Sequence, residues 1–118
     1  MKKILVIDDE STSVRLLQSR LELEGFDVIV ARDGDVGLEK VQTECPDLVV
    51  LDVEMPRMNG YFFISELRKI NERARLPVIV LSSHKENISA FTNKGVVDYI
   101  IKPIDFDKLL QAIRSVLD

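Results

Sequence analysis

Carboxylates, hydroxyls and a lysine recur at the ends of short apolar runs in this chain. Asp8, Asp9 and Glu10 follow Ile4-Leu5-Val6-Ile7, and Asp52 follows Leu48-Val49-Val50-Leu51. Ser82 and Ser83 follow Val78-Ile79-Val80-Leu81, and Lys102-Pro103 follows Tyr99-Ile100-Ile101. Carboxylates brought within a few ångströms repel one another, so one takes up a proton or a cation comes between them. Oxygen ligands without His or Cys favour Mg²⁺ over zinc. Mg²⁺ keeps several waters, so two carboxylates and a backbone carbonyl suffice to hold it. Lys102 on the far side would complete a set of charges suited to a tetrahedral dianion. A carboxylate placed there can attack phosphorus and form an acyl phosphate. The Ser82 hydroxyl could then hydrogen-bond the phosphoryl oxygens. Residue types alone do not choose which aspartate attacks.

Each piece has a plainer explanation when taken singly. Asp8-Asp9-Glu10 before Ser11 favours a helix N-terminus. Asp52 with Glu54 and Pro56 reads as an acidic loop, Ser82-Ser83 as a helix cap, and Lys102-Pro103 as a solvated lysine before a turn. The joint arrangement carries the chemistry, because acid, acid, hydroxyl and lysine stand at successive strand ends.

The positioning elements are legible from pattern. The four runs above, with a weaker fifth at Val28-Ile29-Val30-Ala31 and an extension of the last through Val96-Val97, are short and rich in β-branched residues. They do not alternate with polar residues, so they read as strands buried on both faces of a parallel sheet. Helical patterns lie between them: Val14, Leu17 and Leu21 share a face, as do Phe63, Leu67 and Ile70. The last segment carries Phe106, Leu109, Leu110, Ile113 and Leu117 behind Asp105 as its cap. Five strand–helix repeats imply an open α/β sheet with helices on both faces. All carboxyl ends of such a sheet lie on one edge, where ligands bind at the reversal of strand order. If the first and third strands are central neighbours, Asp8, Asp9 and Asp52 share a shallow cleft with Ser82 and Lys102.

Composition narrows the classes. The chain has 118 residues, 46% of them apolar and 31% charged, with net charge −4. That suits one domain over residues 1–118, of the soluble type. No apolar run is long enough to cross a bilayer, and acids interrupt the N-terminal apolar stretch too early for a secretory signal. The sixteen basic residues are scattered and there is no Trp, which argues against direct nucleic-acid binding. The single cysteine, Cys45, excludes an internal disulfide and suits a reducing cytoplasm; it reads as a small apolar filler.

Together the motifs closely resemble the receiver domain of bacterial two-component response regulators. They are Ile4-Leu5-Val6-Ile7-Asp8-Asp9-Glu10; Leu51-Asp52-Val53-Glu54-Met55-Pro56-Arg57-Met58-Asn59-Gly60; Pro77-Val78-Ile79-Val80-Leu81-Ser82-Ser83; and Asp98-Tyr99-Ile100-Ile101-Lys102-Pro103. The likeness covers Lys3 to Leu117. It implies a flavodoxin-like, doubly wound sheet of five parallel strands in the order 2-1-3-4-5 with five helices. It implies Asp52 as phosphoacceptor and Mg²⁺, with Mn²⁺ as a substitute, bound by Asp9, Asp52 and the main-chain carbonyl of Glu54, with Asp8 acting mainly through water. Ser82 would be the switch hydroxyl, Lys102 the phosphate-pairing lysine, and Tyr99 the aromatic that turns inward when Ser82 moves. Pro103 would hold a cis bond, and Gly60 a tight turn. The donor would be a sensor histidine kinase or histidine phosphotransfer protein. The output would run through the fourth helix, fifth strand and fifth helix to a downstream protein or output domain. The domain would catalyse only its own phosphorylation and dephosphorylation.

Three departures stand out. Ser82 replaces the commoner Thr, which leaves a less restrained hydroxyl. The stretch from Ser82 to Lys102 is shorter than usual by about two residues, lost before Gly95. Val96 and Val97 are unusually apolar and read as local packing ahead of the alternative, an exposed contact patch. Glu54 and His84, two residues past Asp52 and Ser82, would look over the cleft mouth and tune the lifetime of the phosphoryl group. The segment Lys85–Asn93, with only Ile88 and Phe91 as its stripe, reads as the most easily reordered helix. The chain holds no output domain of its own, whether it is a single-domain protein or the front of a longer one, and the last stripe leaves room for a homodimer. An aspartate-nucleophile phosphatase would want two aspartates spaced by one residue after the first strand; here they are adjacent. A flavodoxin-like FMN binder would be repelled by the acids. A receiver-like interaction module without phosphorylation would lack site residues that this chain has.

Overall fold

The computed structural model describes residues 1–54, 60–70, 75–84 and 95–118. Five strands, β1 (Lys3–Ile7), β2 (Asp27–Ala31), β3 (Leu48–Asp52), β4 (Val78–Ser82) and β5 (Val96–Ile101), form one parallel sheet in the order β2-β1-β3-β4-β5. The helices among the described residues are α1 (Ser11–Leu23), α2 (Gly34–Glu44), α3 (Gly60–Lys69) and α4 (Phe106–Leu117). The remaining expected helix, the fourth in chain order around Lys85–Asn93, lies outside the described residues, as does the stretch Met55–Asn59 of the acceptor motif.

The sheet separates two apolar layers. Leu17 and Leu21 of α1 and Leu109 and Ile113 of α4 pack on one face against Ile4, Val6, Leu48 and Val50. Val41 of α2 and Phe63, Ile64 and Leu67 of α3 pack on the other against Leu5, Ile7, Val49 and Leu51. Alternate residues of β1 and β3 therefore serve opposite cores, which is why their apolar runs are unbroken. Expected full burial holds for β3 and β4 but not for the outer strands, since β2 buries only Val28 and Ala31 and β5 only Ile100. They are edge strands with a neighbour on one side only.

Local chemistry sets where elements stop. Gly25, at φ +93, ends α1. Beyond it the Phe26 N–H donates back to the Leu21 carbonyl, and Phe26 is buried, the usual glycine-capped helix end. Asp33 caps α2 by accepting from the Val36 N–H, and Asp105 caps α4 by accepting from the Asp107 and Lys108 N–H groups. Cys45 is not the apolar filler expected of it: it is exposed at the left-handed C-terminal cap of α2, φ 50.

One irregularity controls the rest. Val78 pairs with Val96, but Ile79 pairs with Asp98, so Val97 is an extra residue on β5. It is 47% exposed, while Val96 packs at the edge of the core. After the shift Val80 faces Tyr99 and Ser82 faces Ile101. Because side chains alternate along a strand, a slip of one residue would send Tyr99 and Lys102 to the opposite face. Arg68 of α3 braces this end of the sheet. Its guanidinium donates to the Leu76 carbonyl at 2.7 Å and the Gly95 carbonyl at 3.0 Å. Gly95 sits at φ +76, and a Cβ there would meet Arg68 Nη2 at 2.8 Å. Arg68→Met should strand both carbonyls and cost about 1–3 kcal/mol, read as a lower urea midpoint with an unchanged slope.

Candidate functional site

Asp8 continues β1 and Asp52 ends β3, and these strands are adjacent at the centre of the sheet with Ile7 opposite Leu51. The Asp8 N–H donates to the Ala31 carbonyl and the Val53 N–H to the Leu81 carbonyl, so sheet bonding runs on into the site. Both carboxylates are held in the same way. Asp8 Oδ1 accepts from the Glu10 N–H at 3.0 Å, and Asp52 Oδ1 accepts from the Glu54 N–H at 2.8 Å. Each aspartate thus closes a turn on the residue two positions later. Among the described residues, the buried polar side chains are Asp8, Asp52 and Ser82, at 3%, 5% and 0% exposure. All of them sit at this edge.

Lys102 comes in from β5. Its N–H donates to the Ser82 carbonyl, and its ammonium donates to Asp52 Oδ2 at 2.8 Å. Burial works to lower the Lys102 pKa, but the hydrogen bond and charge of Asp52, with the charges of Glu54 and Asp8, outweigh it and leave the group raised. Burial pushes Asp8 up to about 6, against the pull of the Glu10 N–H and with the help of the Asp52 charge. Two buried carboxylates therefore share one ammonium, and the site carries excess negative charge. A hard divalent cation fits that deficit and that all-oxygen donor set. Asp9 is exposed beside Asp8. Among the described residues no three His, Cys, Asp or Glu side chains gather into a group that could hold an ion by themselves.

The mouth of the cleft is organised around Glu54, Ser83 and His84. The Glu54 carboxylate accepts from both the N–H and the hydroxyl of Ser83, the latter at 2.8 Å. Its pKa is lowered: burial works to raise it, but the two Ser83 bonds and the charges of Lys102 and His84 together outweigh that. Ser82 Oγ accepts from the His84 N–H at 3.1 Å, and the half-buried Tyr99 donates its hydroxyl to the His84 carbonyl at 2.7 Å. The Lys102–Pro103 peptide bond is cis. Gly60 is buried at the start of α3. Sequence reasoning gave Ser83 no part in the site. The pairing of an acid just past one strand with a serine just past the next was visible, but only the side-by-side placement of β3 and β4 joins them.

Comparison with known proteins places this geometry. A family model for the response regulator receiver domain matches residues 4–114. The probable transcriptional regulator ycf27 of Porphyridium aerugineum is 43% identical over 98% of this chain and 48% of its own length. The protein PilH of Pseudomonas aeruginosa is 34% identical over 99% of this chain and 98% of its own. The crystal structure of response regulator TrrA from Thermotoga maritima, in complex with Mg²⁺ and BeF, superposes with a TM-score of 0.87 at 32% identity. It covers 98% of this chain and 99% of that one. The chain spans about half the length of most of the curated relatives it matches.

The raised pKa of Asp8 has a consequence for stability without metal. The folded state holds this proton more tightly than the unfolded chain does. The contribution is thus fully present below about pH 3.8 and is lost as pH rises through about 6. In EDTA at pH 7.5, Asp8→Asn should be more stable than the parent by about 1–3 kcal/mol. The gap should shrink toward pH 4.5, and added Mg²⁺ should stabilise the parent more than the variant. Urea titrations at the two pH values measure all three.

Proposed function

Because this chain belongs to the response regulator receiver family, whose role is two-component phosphorelay signalling, we propose that Asp52 is its phosphoacceptor. The supporting observation is that the buried polar side chains of the described residues converge on one sheet edge, with Lys102 paired to Asp52. An Asp52 carboxylate oxygen attacks the phosphorus of a phosphohistidine on a sensor kinase or phosphotransfer protein. The O–P bond forms, the N–P bond breaks, and the imidazole leaves with the electron pair and takes up a proton. Lys102 pairs with the arriving phosphoryl oxygens and the Ser82 hydroxyl donates to them. Asp9, Asp52 and the Glu54 carbonyl, with Asp8 acting through water, would hold Mg²⁺ or Mn²⁺ in its place, and the ion would supply further charge neutralisation. The relative TrrA, solved with Mg²⁺ and BeF, supports this. Hydrolysis of the acyl phosphate resets the domain, and Glu54 and His84 at the mouth set its rate. The chain turns over no external phosphate ester.

The signal leaves through His84. Ser82 and Tyr99 hold the two backbone groups of that residue, N–H and carbonyl. When Ser82 turns to the phosphoryl group it releases the His84 N–H, and Tyr99 moves inward with the displaced backbone. The helix expected at Lys85–Asn93, part of the same output path in the resemblance, lies outside the described residues; the change reaches the face carried by β5 and α4. There Tyr99, Ile101, Pro103, Lys108 and Ala112 line a groove for a downstream protein or an output domain. Among the described residues no helix is long and apolar enough to cross a membrane, and a cytoplasmic place beside the kinase's catalytic part fits this reading.

Treatment with acetyl phosphate and Mg²⁺ should add one phosphoryl group to the parent by intact mass and none to Asp52→Asn. Lys102→Ala should load about tenfold more slowly or worse. Equal loading of Asp52→Asn would overturn the assignment.

A further inference from the structure

Ser83 has no part in the phosphoryl chemistry described above, yet it makes the most complete side-chain contact at the cleft mouth. Its N–H donates to one oxygen of the Glu54 carboxylate and its hydroxyl donates to the other at 2.8 Å. The two residues are 29 apart in sequence. They meet because each lies just beyond the end of β3 or β4, which pair side by side. Both are exposed, so the contact is not forced by core packing. Glu54 is fixed a second time by its own N–H, which donates to Asp52 Oδ1 at 2.8 Å. Its backbone is thereby tied to the proposed acceptor, and its carboxylate is tied away from it.

The charges nearby give this tie a purpose. The Lys102 ammonium feels the negative charges of Asp52, Glu54 and Asp8 together. It is bonded to Asp52 at 2.8 Å. A Glu54 carboxylate released from Ser83 is a flexible anion within electrostatic reach of that ammonium and would compete for it. It would also place a mobile negative charge over the opening through which an anionic phosphoryl donor arrives. We infer that Ser83 is a positioning residue that holds the Glu54 carboxylate aside at the cleft mouth, keeping Lys102 on Asp52 and the approach open to the phosphoryl donor. This rests on the reading of Asp52 as phosphoacceptor.

The experiment compares initial rates of phosphoryl uptake from acetyl phosphate at saturating Mg²⁺, by intact mass, for the parent, Ser83→Ala, Ser83→Thr, Glu54→Gln and Ser83→Ala with Glu54→Gln. Ser83→Ala keeps the N–H bond and loses the hydroxyl bond, so uptake should slow by about threefold to tenfold. Ser83→Thr, which retains the hydroxyl, should recover most of the rate. In the Glu54→Gln background the Ser83→Ala penalty should vanish, because the amide carries no charge to compete for Lys102. A purely structural Ser83 would show the same penalty in both backgrounds, and that result overturns the inference, as does parental uptake by Ser83→Ala. If the parent itself takes up no phosphoryl group, the acceptor assignment falls and this inference falls with it. A parent that loads while Ser83→Ala shows no penalty sinks the tether alone.

Discussion

Two carboxylates are buried side by side where two central strands end, and one ammonium is shared between them. Asp8 and Asp52 are nearly inaccessible, and Lys102 reaches Asp52 at 2.8 Å. Burying a charge is costly unless it is paired and hydrogen-bonded. The surrounding backbone meets part of that need through the N–H groups of Glu10 and Glu54, and Lys102 meets more. What is left over is excess negative charge in a place that water reaches poorly, and a hard divalent cation would offset it.

That electrostatic arrangement depends on registers set far from it. Lys102 arrives on the correct face because the extra residue Val97 shifts β5 by one position against β4. The same shift sets Tyr99 opposite Val80 and lets its hydroxyl reach the His84 carbonyl. Arg68, from α3, fixes the start of both strands through the carbonyls of Leu76 and Gly95. The apolar Val96-Val97 pair, read from sequence as local packing, divides its roles accordingly: Val96 packs and Val97 is extruded.

The loops past β3 and β4 form one connected mouth. Glu54 touches Asp52 through its N–H and Ser83 through its carboxylate. Ser82 and Tyr99 hold the two sides of the His84 backbone. A change at Asp52 therefore meets two groups of hydrogen bonds, one at the open cleft mouth and one facing the edge strand β5. Few of these contacts are buried, so each is weak alone and easily exchanged for a stronger partner, as the proposed switch needs.

Much of this was written in local pattern. Unbroken β-branched runs identify β1, β3 and β4, because strands covered on both faces need apolar residues at every position. The placing of Asp8, Asp52, Ser82 and Lys102 at strand ends follows from the same runs, and the parallel sheet brings all of them to one edge. The apolar runs alone did not mark which strands are edges, which only the family resemblance implied, so β2 and β5 are wetter than their runs suggest. Nor could it show that Val97 is extra, that Ser83 would find Glu54, or that Cys45 would sit exposed at a helix end. Sequence by itself determined the chemistry available at each strand end, because residue type and a two- or three-letter neighbourhood suffice for that. Tertiary structure alone decided the pairings among those ends, because register and strand adjacency arise from packing the whole sheet at once.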